Sequence, residues 1–152
     1  MRQSVDETWL QVAEILAKRT TCARRGVGAV ILDGRGHVLS TGYNGVASGL
    51  PHCNEEGNAC SGAYAPSGTN LEGCHAIHAE QNALLQCRDC YAIETIYVTH
   101  SPCITCTKLL MGTSCKHIVF RHKYAHGEAE DLWVNSKPGR TWTHVDGKPH
   151  TH

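Results

Sequence analysis

His78-Ala79-Glu80, followed further along by Pro102-Cys103-Ile104-Thr105-Cys106, decides how this 152-residue chain is read. One imidazole and two thiols form a ligand set for Zn²⁺, and three protein ligands leave the fourth tetrahedral position open. A water bound there ionises near neutral pH, whereas a structural zinc site closes that position with a fourth side chain. Glu80 stands two residues from His78 and is the natural group to move protons for such a water. Residues i and i+2 do not share a face within a helix, so His78 and Glu80 converge only if His78 lies at a helix entrance. The spacing predicts that helix over Ala79 to Cys87, with Ala83, Leu84 and Cys87 on one stripe. Cys103 and Cys106, three apart, do share a face. Pro102 suits the start of their helix, running from Cys103 to Met111. The positive end of its dipole favours the thiolates a metal needs. Two helix N-termini thus point at one ion.

Each half alone has a plainer reading. A Cys-x-x-Cys is commonly half of a structural zinc site, and a His-x-Glu arises often by chance. Together, with a proline before the first cysteine and a strand-like run between the halves, they match the signature of zinc-dependent nucleobase deaminases. In that signature the glutamate is a proton carrier and not a ligand.

Composition suits a small enzyme. A chain of 152 residues is one domain's worth and long enough for a proper core. With 14 basic and 14 acidic residues the formal charge is zero, so no global field favours nucleic acid or membrane. No apolar stretch reaches transmembrane length, and the segment after Met1 is amphipathic, unlike a signal peptide. Nine cysteines without a secretory signal point to metal binding in a reducing compartment, with the cytosol as the default.

The elements alternate along the chain. Ser4-Val5-Asp6-Glu7 is a capping box opening a helix with Trp9, Val12, Ala13 and Leu16 on its stripe. Gly28 to Leu32 and His37 to Tyr43 read as a hairpin around the turn Asp33-Gly34-Arg35-Gly36. Asn44 to His75, rich in Gly, Asn, Ser and Pro, is a long loop, which in a compact domain is functional or misassigned. Glu94 to Thr99 and His117 to Arg121 read as strands on either side of the second cysteine helix, which Gly112 stops. Gly127 to Val134 reads as a short last helix, and the polar tail beyond it is expected to fray. One deaminase domain over 1–152 is expected, with a core of about 5–125 and a tail of about 126–152.

Further segments carry a closer resemblance. Thr21-Cys22-Ala23-Arg24-Arg25-Gly26-Val27-Gly28-Ala29-Val30-Ile31, Gly42-Tyr43-Asn44-Gly45, Gly49-Leu50-Pro51-His52-Cys53, Cys74-His75-Ala76-Ile77-His78-Ala79-Glu80-Gln81-Asn82-Ala83 and Tyr97-Val98-Thr99-His100-Ser101-Pro102-Cys103 resemble the deoxycytidylate (dCMP) deaminases. The match covers roughly residues 5 to 125. It implies an α/β fold, a three-layer α/β/α sandwich around a five-stranded mixed sheet, and hydrolysis of dCMP to dUMP and ammonia for thymidylate synthesis. Metal ligation then falls to His78, Cys103 and Cys106, and proton transfer to Glu80. The backbone at Ala79 and Ser101 would meet the pyrimidine edge, and Asn44 would hold the sugar. Arg24 and Arg25 are candidates for the 5′-phosphate, which guanidinium binds bidentately, or are solvated loop charges. Tyr124 is a candidate pocket-lining residue or plain packing. In the family Gly42, Tyr43 and Gly45 border an effector site for activating dCTP and inhibiting dTTP, with Mg²⁺, in a homohexamer. Asn44-Gly45 is also a strong turn signal by itself.

Cys22, Cys53, Cys60 and Cys74 raise a second zinc. A loop without its own core needs a staple, and a Cys₄ site supplies one; some dCMP deaminases that this chain resembles carry such a zinc. His52 and His75 are competing ligands. Cys87-Arg88-Asp89-Cys90 falls at a helix end without a partner pair and reads as ordinary thiols. A tRNA adenosine deaminase or a free-nucleoside deaminase would share both zinc motifs, although tRNA rewards a basic face. A non-enzymatic zinc-stabilised binding module would have the cysteines but not the open three-ligand site.

Overall fold

A computed structural model describes residues 2–20, 26–46, 76–124 and 127–147. Helix α1, Val5–Ala17, opens on Ser4, whose hydroxyl accepts from the Glu7 N–H at 3.1 Å. Strands β1, Gly28–Asp33, and β2, Val38–Tyr43, form the expected antiparallel hairpin. Its turn passes through Gly36 at φ +82°, a conformation glycine adopts without a Cβ penalty. After Asn44, β3 (Gly45–Val46) pairs antiparallel with β4 (Ala76–Ile77). Then come α2, Ala79–Gln86; β5, Ile93–His100; α3, Ile104–Met111; β6, His117–His122; α4, Glu128–Ser136; and β7, Thr141–His144.

The main sheet has the order β2-β1-β5-β6-β7. β1 lies antiparallel to both β2 and β5, while β5, β6 and β7 are parallel, so the sheet is mixed. The parallel strands are joined through α3 and α4, and successive right-handed crossovers advancing in one direction put both helices on one face. The core agrees. Ala29, Ile31, Val98 and Phe120 pack with Ala79 and Ala83 of α2, Leu110 of α3 and Trp133 of α4. On the other face, Val30, Leu32, Tyr97 and Val119 meet Leu10 and Ala13 of α1. The result is three layers, α/β/α, in which β5 is buried on both sides and does not show the alternation read for it from its sequence.

Two glycines set the helix distances. A Cβ on Gly28 would lie 1.9 Å from the Ala13 carbonyl oxygen, and one on Gly42 would lie 2.4 Å from that of Ala79. α1 and α2 therefore press their backbones onto the hairpin from opposite faces, as the alternation along β1 and β2 requires. Polar ties hold α1 down. Tyr97 donates its hydroxyl to Asp6 at 2.7 Å, and Arg121, its side chain 4% exposed, pairs with Glu7 and with Glu14 at 2.9 Å.

Two expectations are corrected. The polar tail after the expected last helix is ordered over its described residues: α4 forms as expected and buries Trp133, and β7 then adds the fifth strand of the sheet. Thr141-Trp142-Thr143-His144 escapes sequence reading because an edge strand has one unpaired side and this one keeps mostly exposed residues. Asn44-Gly45 is not a turn. The chain runs from β2 into β3, and Gly45 is not among the positive-φ glycines of the described residues. The β3–β4 pair instead clamps together the two ends of the 47–75 segment immediately before His78.

Candidate metal centre and active site

His78 is the N-cap of α2, with extended backbone at φ −64° and ψ 152°. Its own N–H donates to Gln81 Oε1 at 3.0 Å, the reciprocal arm of a capping box at the helix entrance. Ser40 Oγ donates to the Ala83 carbonyl and Asn82 Nδ2 to the Tyr43 carbonyl, each at 2.8 Å. These bonds fix α2 against β2 and with it the position of His78. Cys103 is the N-cap of α3, and Cys106 lies in its first turn. Pro102, fully buried, precedes the cap and does not occupy the first helical position.

These elements bring His78, Cys103 and Cys106 together, with their donor atoms all within 4.8 Å of one another. His78 Nδ1 lies 3.1 Å from Cys106 Sγ and 3.6 Å from Cys103 Sγ. A tetrahedral Zn²⁺ with Zn–S of about 2.3 Å and Zn–N of about 2.0 Å spaces its ligand atoms roughly 3.5–3.8 Å apart. Both the donor set and the spacing fit zinc. Among the described residues this is the one such group of three or more. The cysteines are coupled through a shared proton. The hydrogen bond from Cys106 holds the Cys103 thiol down at about 4. The same contact, with burial, pushes Cys106 far up.

Glu80 is outside the donor cluster but beside it. It is 5% exposed, and its carboxyl contacts the Cys106 thiol. Burial, the largest influence, pushes that carboxyl above the usual range, against the opposing pull of His78. A buried carboxyl next to three ligands that leave one position open is suited to carry a proton.

The remaining candidates divide. Ala79 is buried as the first residue of α2, where the N–H has no intrahelical acceptor. Ser101 is buried; its N–H donates to the His122 carbonyl at 2.9 Å, and its hydroxyl accepts from the Tyr124 N–H at 2.6 Å. Tyr124, half-buried, thus stands next to Ser101. Asn44 is buried at the same end, but its Oδ1 accepts from the Val27 N–H at 2.8 Å, so that oxygen is committed to the chain. Gly42 faces the α2 backbone, and Tyr43 gives its carbonyl to Asn82. Cys22, Cys53, Cys60, Cys74, Arg24, Arg25, His52 and His75 lie outside the described residues. Cys87 and Cys90 are free, half-buried thiols packed against the core at the end of α2. Sequence reasoning passed over Gln81, Asn82 and Ser40. Gln81, three residues into a helix from its cap, carried a legible capping signal; the other two bonds join residues about forty apart and had none.

The family model for the cytidine and deoxycytidylate deaminase zinc-binding region matches residues 3–122. The chain belongs to this family. A deoxycytidylate deaminase of Mycobacterium phage D29 is 37% identical over 123 residues, covering 78% of this chain and 95% of that protein. The deoxycytidylate deaminase of Schizosaccharomyces pombe is 35% identical over 125 residues, covering 81% of this chain but 38% of that longer protein. Among solved structures, the dCMP deaminase of cyanophage S-TIM5 in complex with dCMP and dUMP aligns with a TM-score of 0.72 at 25% identity, covering 95% of this chain and 99% of that one. Zinc is the metal that the family's description and this donor set both indicate. Among the described residues no helix is long and apolar enough to cross a membrane.

Proposed function

We propose that this chain is a single zinc-dependent deaminase domain that hydrolyses dCMP to dUMP and ammonia, supplying dUMP for thymidylate synthesis. The observation that carries the reading is the meeting of His78, Cys103 and Cys106 beside the buried Glu80. The phage D29 relative, matched over nearly its whole length, and the S-TIM5 structure with its bound nucleotides support dCMP as the substrate. His78, Cys103 and Cys106 would hold Zn²⁺, which supplies the Lewis acidity that makes water nucleophilic at neutral pH.

The chain's own residues do the rest. Glu80 accepts a proton from the attacking water and delivers it to N3 of cytosine. After C4 has become tetrahedral, the same carboxyl takes the remaining proton from the new C4 hydroxyl and passes it to the departing amino group, so that the C4 carbonyl forms as the C4–N bond breaks and ammonia leaves. The Ala79 N–H is the donor for the pyrimidine edge. Because the Ser101 N–H already serves the His122 carbonyl, the carbonyl of Ser101 is the backbone group it offers to the substrate. Asn44 meets the sugar, Tyr124 lines the pocket, and Arg24 or Arg25 meets the phosphate.

The finer assignments belong to the same reading. A second zinc on Cys22, Cys53, Cys60 and Cys74 would give two metal equivalents per chain by elemental analysis. Gly42, Tyr43 and Gly45 border a site for dCTP and dTTP with Mg²⁺ in a homohexamer, which light scattering with and without nucleotide tests. Balanced charge and nine cysteines support a small-molecule substrate and a reducing, cytoplasmic setting, with neither nucleic acid nor membrane as partner. Ammonia release from dCMP, deoxycytidine, cytidine and tRNA is the deciding assay. Preference for dCMP supports the reading. Preference for a nucleoside or tRNA replaces the substrate, and a zinc-loaded protein inert on all four is a binding module.

A further inference from the structure

His100 and His122 end the two parallel strands β5 and β6 as register partners, their ring centroids 4.9 Å apart and tilted by 37°. Two positions earlier on each strand, Val98 and Phe120 belong to the core beneath α2, α3 and α4. Side chains alternate with period two, so both imidazoles stand on the face that carries His78, Cys103 and Cys106. They also stand at the carboxyl ends of the parallel strands, the edge where open α/β sheets receive ligands.

The pair is held in place relative to the metal centre. His100 is followed directly by Ser101-Pro102-Cys103. The Ser101 N–H donates to the His122 carbonyl at 2.9 Å, and Tyr124 N donates to Ser101 Oγ at 2.6 Å, joining the two strand ends. His100 Nδ1 lies 3.0 Å from Thr99 Oγ1, itself in the buried end of β5, which sets the ring's orientation. His122 and the adjacent Lys123 are exposed. Side-by-side imidazoles with a lysine next to them form a poor apolar contact but a good anion seat, because an imidazole in either protonation state offers an N–H donor and the ammonium adds a positive charge.

We infer that His100 and His122 form the described wall of the 5′-phosphate subsite and give the enzyme its preference for a nucleoside monophosphate over a nucleoside. The inference rests on the dCMP reading above. The pair determines specificity and takes no part in the chemical step.

The test uses His122→Ala, His100→Asn, whose carboxamide can keep the Thr99 bond, and the double variant, each zinc-loaded. Wild-type turnover of dCMP is measured first, because its absence overturns the dCMP reading itself. With turnover established, inhibition constants are measured for dUMP and for deoxyuridine. The expected result is a dUMP constant and a dCMP KM raised about tenfold or more in the double variant, with kcat, zinc content and the deoxyuridine constant unchanged. Equal weakening of dUMP and deoxyuridine, or no weakening of either, overturns the inference while leaving the dCMP reading in place.

Discussion

The two ends of α3 solve the same physical problem in opposite ways. A helix leaves unpaired N–H groups at one end and unpaired carbonyls at the other. At the N-terminus, Cys103 caps the helix, accepting from Cys106 N at 3.5 Å, and turns its sulfur toward His78 and Cys106. That end offers its donor atoms to a metal ion, which would complete it and could dissociate. At the C-terminus, the buried Arg140 donates to the carbonyls of Met111 at 3.1 Å, Thr113 at 3.2 Å and Cys115 at 3.2 Å, and to Ser136 Oγ at 2.8 Å. Its guanidinium also lies 4.4 Å over the Trp133 ring, so α3, α4 and the approach to β7 share one cation. That end is finished by the chain itself, through hydrogen bonds from a cation that is tethered and does not dissociate. The difference teaches that one helix can be anchored by structure at one end and kept available for chemistry at the other.

Variants at the two ends break or sharpen this contrast. Cys103→Ala is expected to have the largest effect, losing one equivalent of zinc and essentially all deamination; retention of both by elemental analysis and ammonia assay would abolish the functional half of the comparison. Glu80→Gln comes next, with turnover falling by about 10²–10⁴-fold or more while zinc and thermal stability hold. Loss of the metal in that variant would make Glu80 a ligand, and activity within tenfold of wild type would assign proton transfer elsewhere.

At the structural end, Arg140→Met strands several buried acceptors and should cost about 3 kcal/mol, read by urea unfolding, with zinc stoichiometry and kcat per folded molecule nearly kept. A large fall in kcat at unchanged stability would mean that the two ends are not separable. The smallest effect is expected away from α3. Tyr97→Phe removes the hydroxyl that meets Asp6 at 2.7 Å and should destabilise by about 1 kcal/mol without altering activity.

Local signals carried much of the site into view. His78 at a helix entrance and Cys103 with Cys106 at another follow from spacing and helix geometry, and the fold brings their donors within ligand range. The hairpin, α1 and the short helix after Gly127 were legible for the same reason, since capping residues and apolar periodicity act within a few positions. Arg140 was not legible, because nothing near it in sequence says that three carbonyls from the end of α3 and the turn after it will surround it. The same holds for His100 and His122, which the chain separates and the parallel register brings side by side.

The sequence by itself determined the ligand types, the non-ligand carboxyl and the order of the main helices and strands before β7. Each of these is a local or chemical property: what a thiol binds, what a turn or cap tolerates, which period a segment repeats. The tertiary structure alone decided that Thr141–His144 completes the sheet, that β3 and β4 clamp the chain just before His78, and that β5 and β6 end on paired imidazoles. These depend on which distant backbones pair, and pairing is chosen by the burial of the whole core, which no short window of sequence contains.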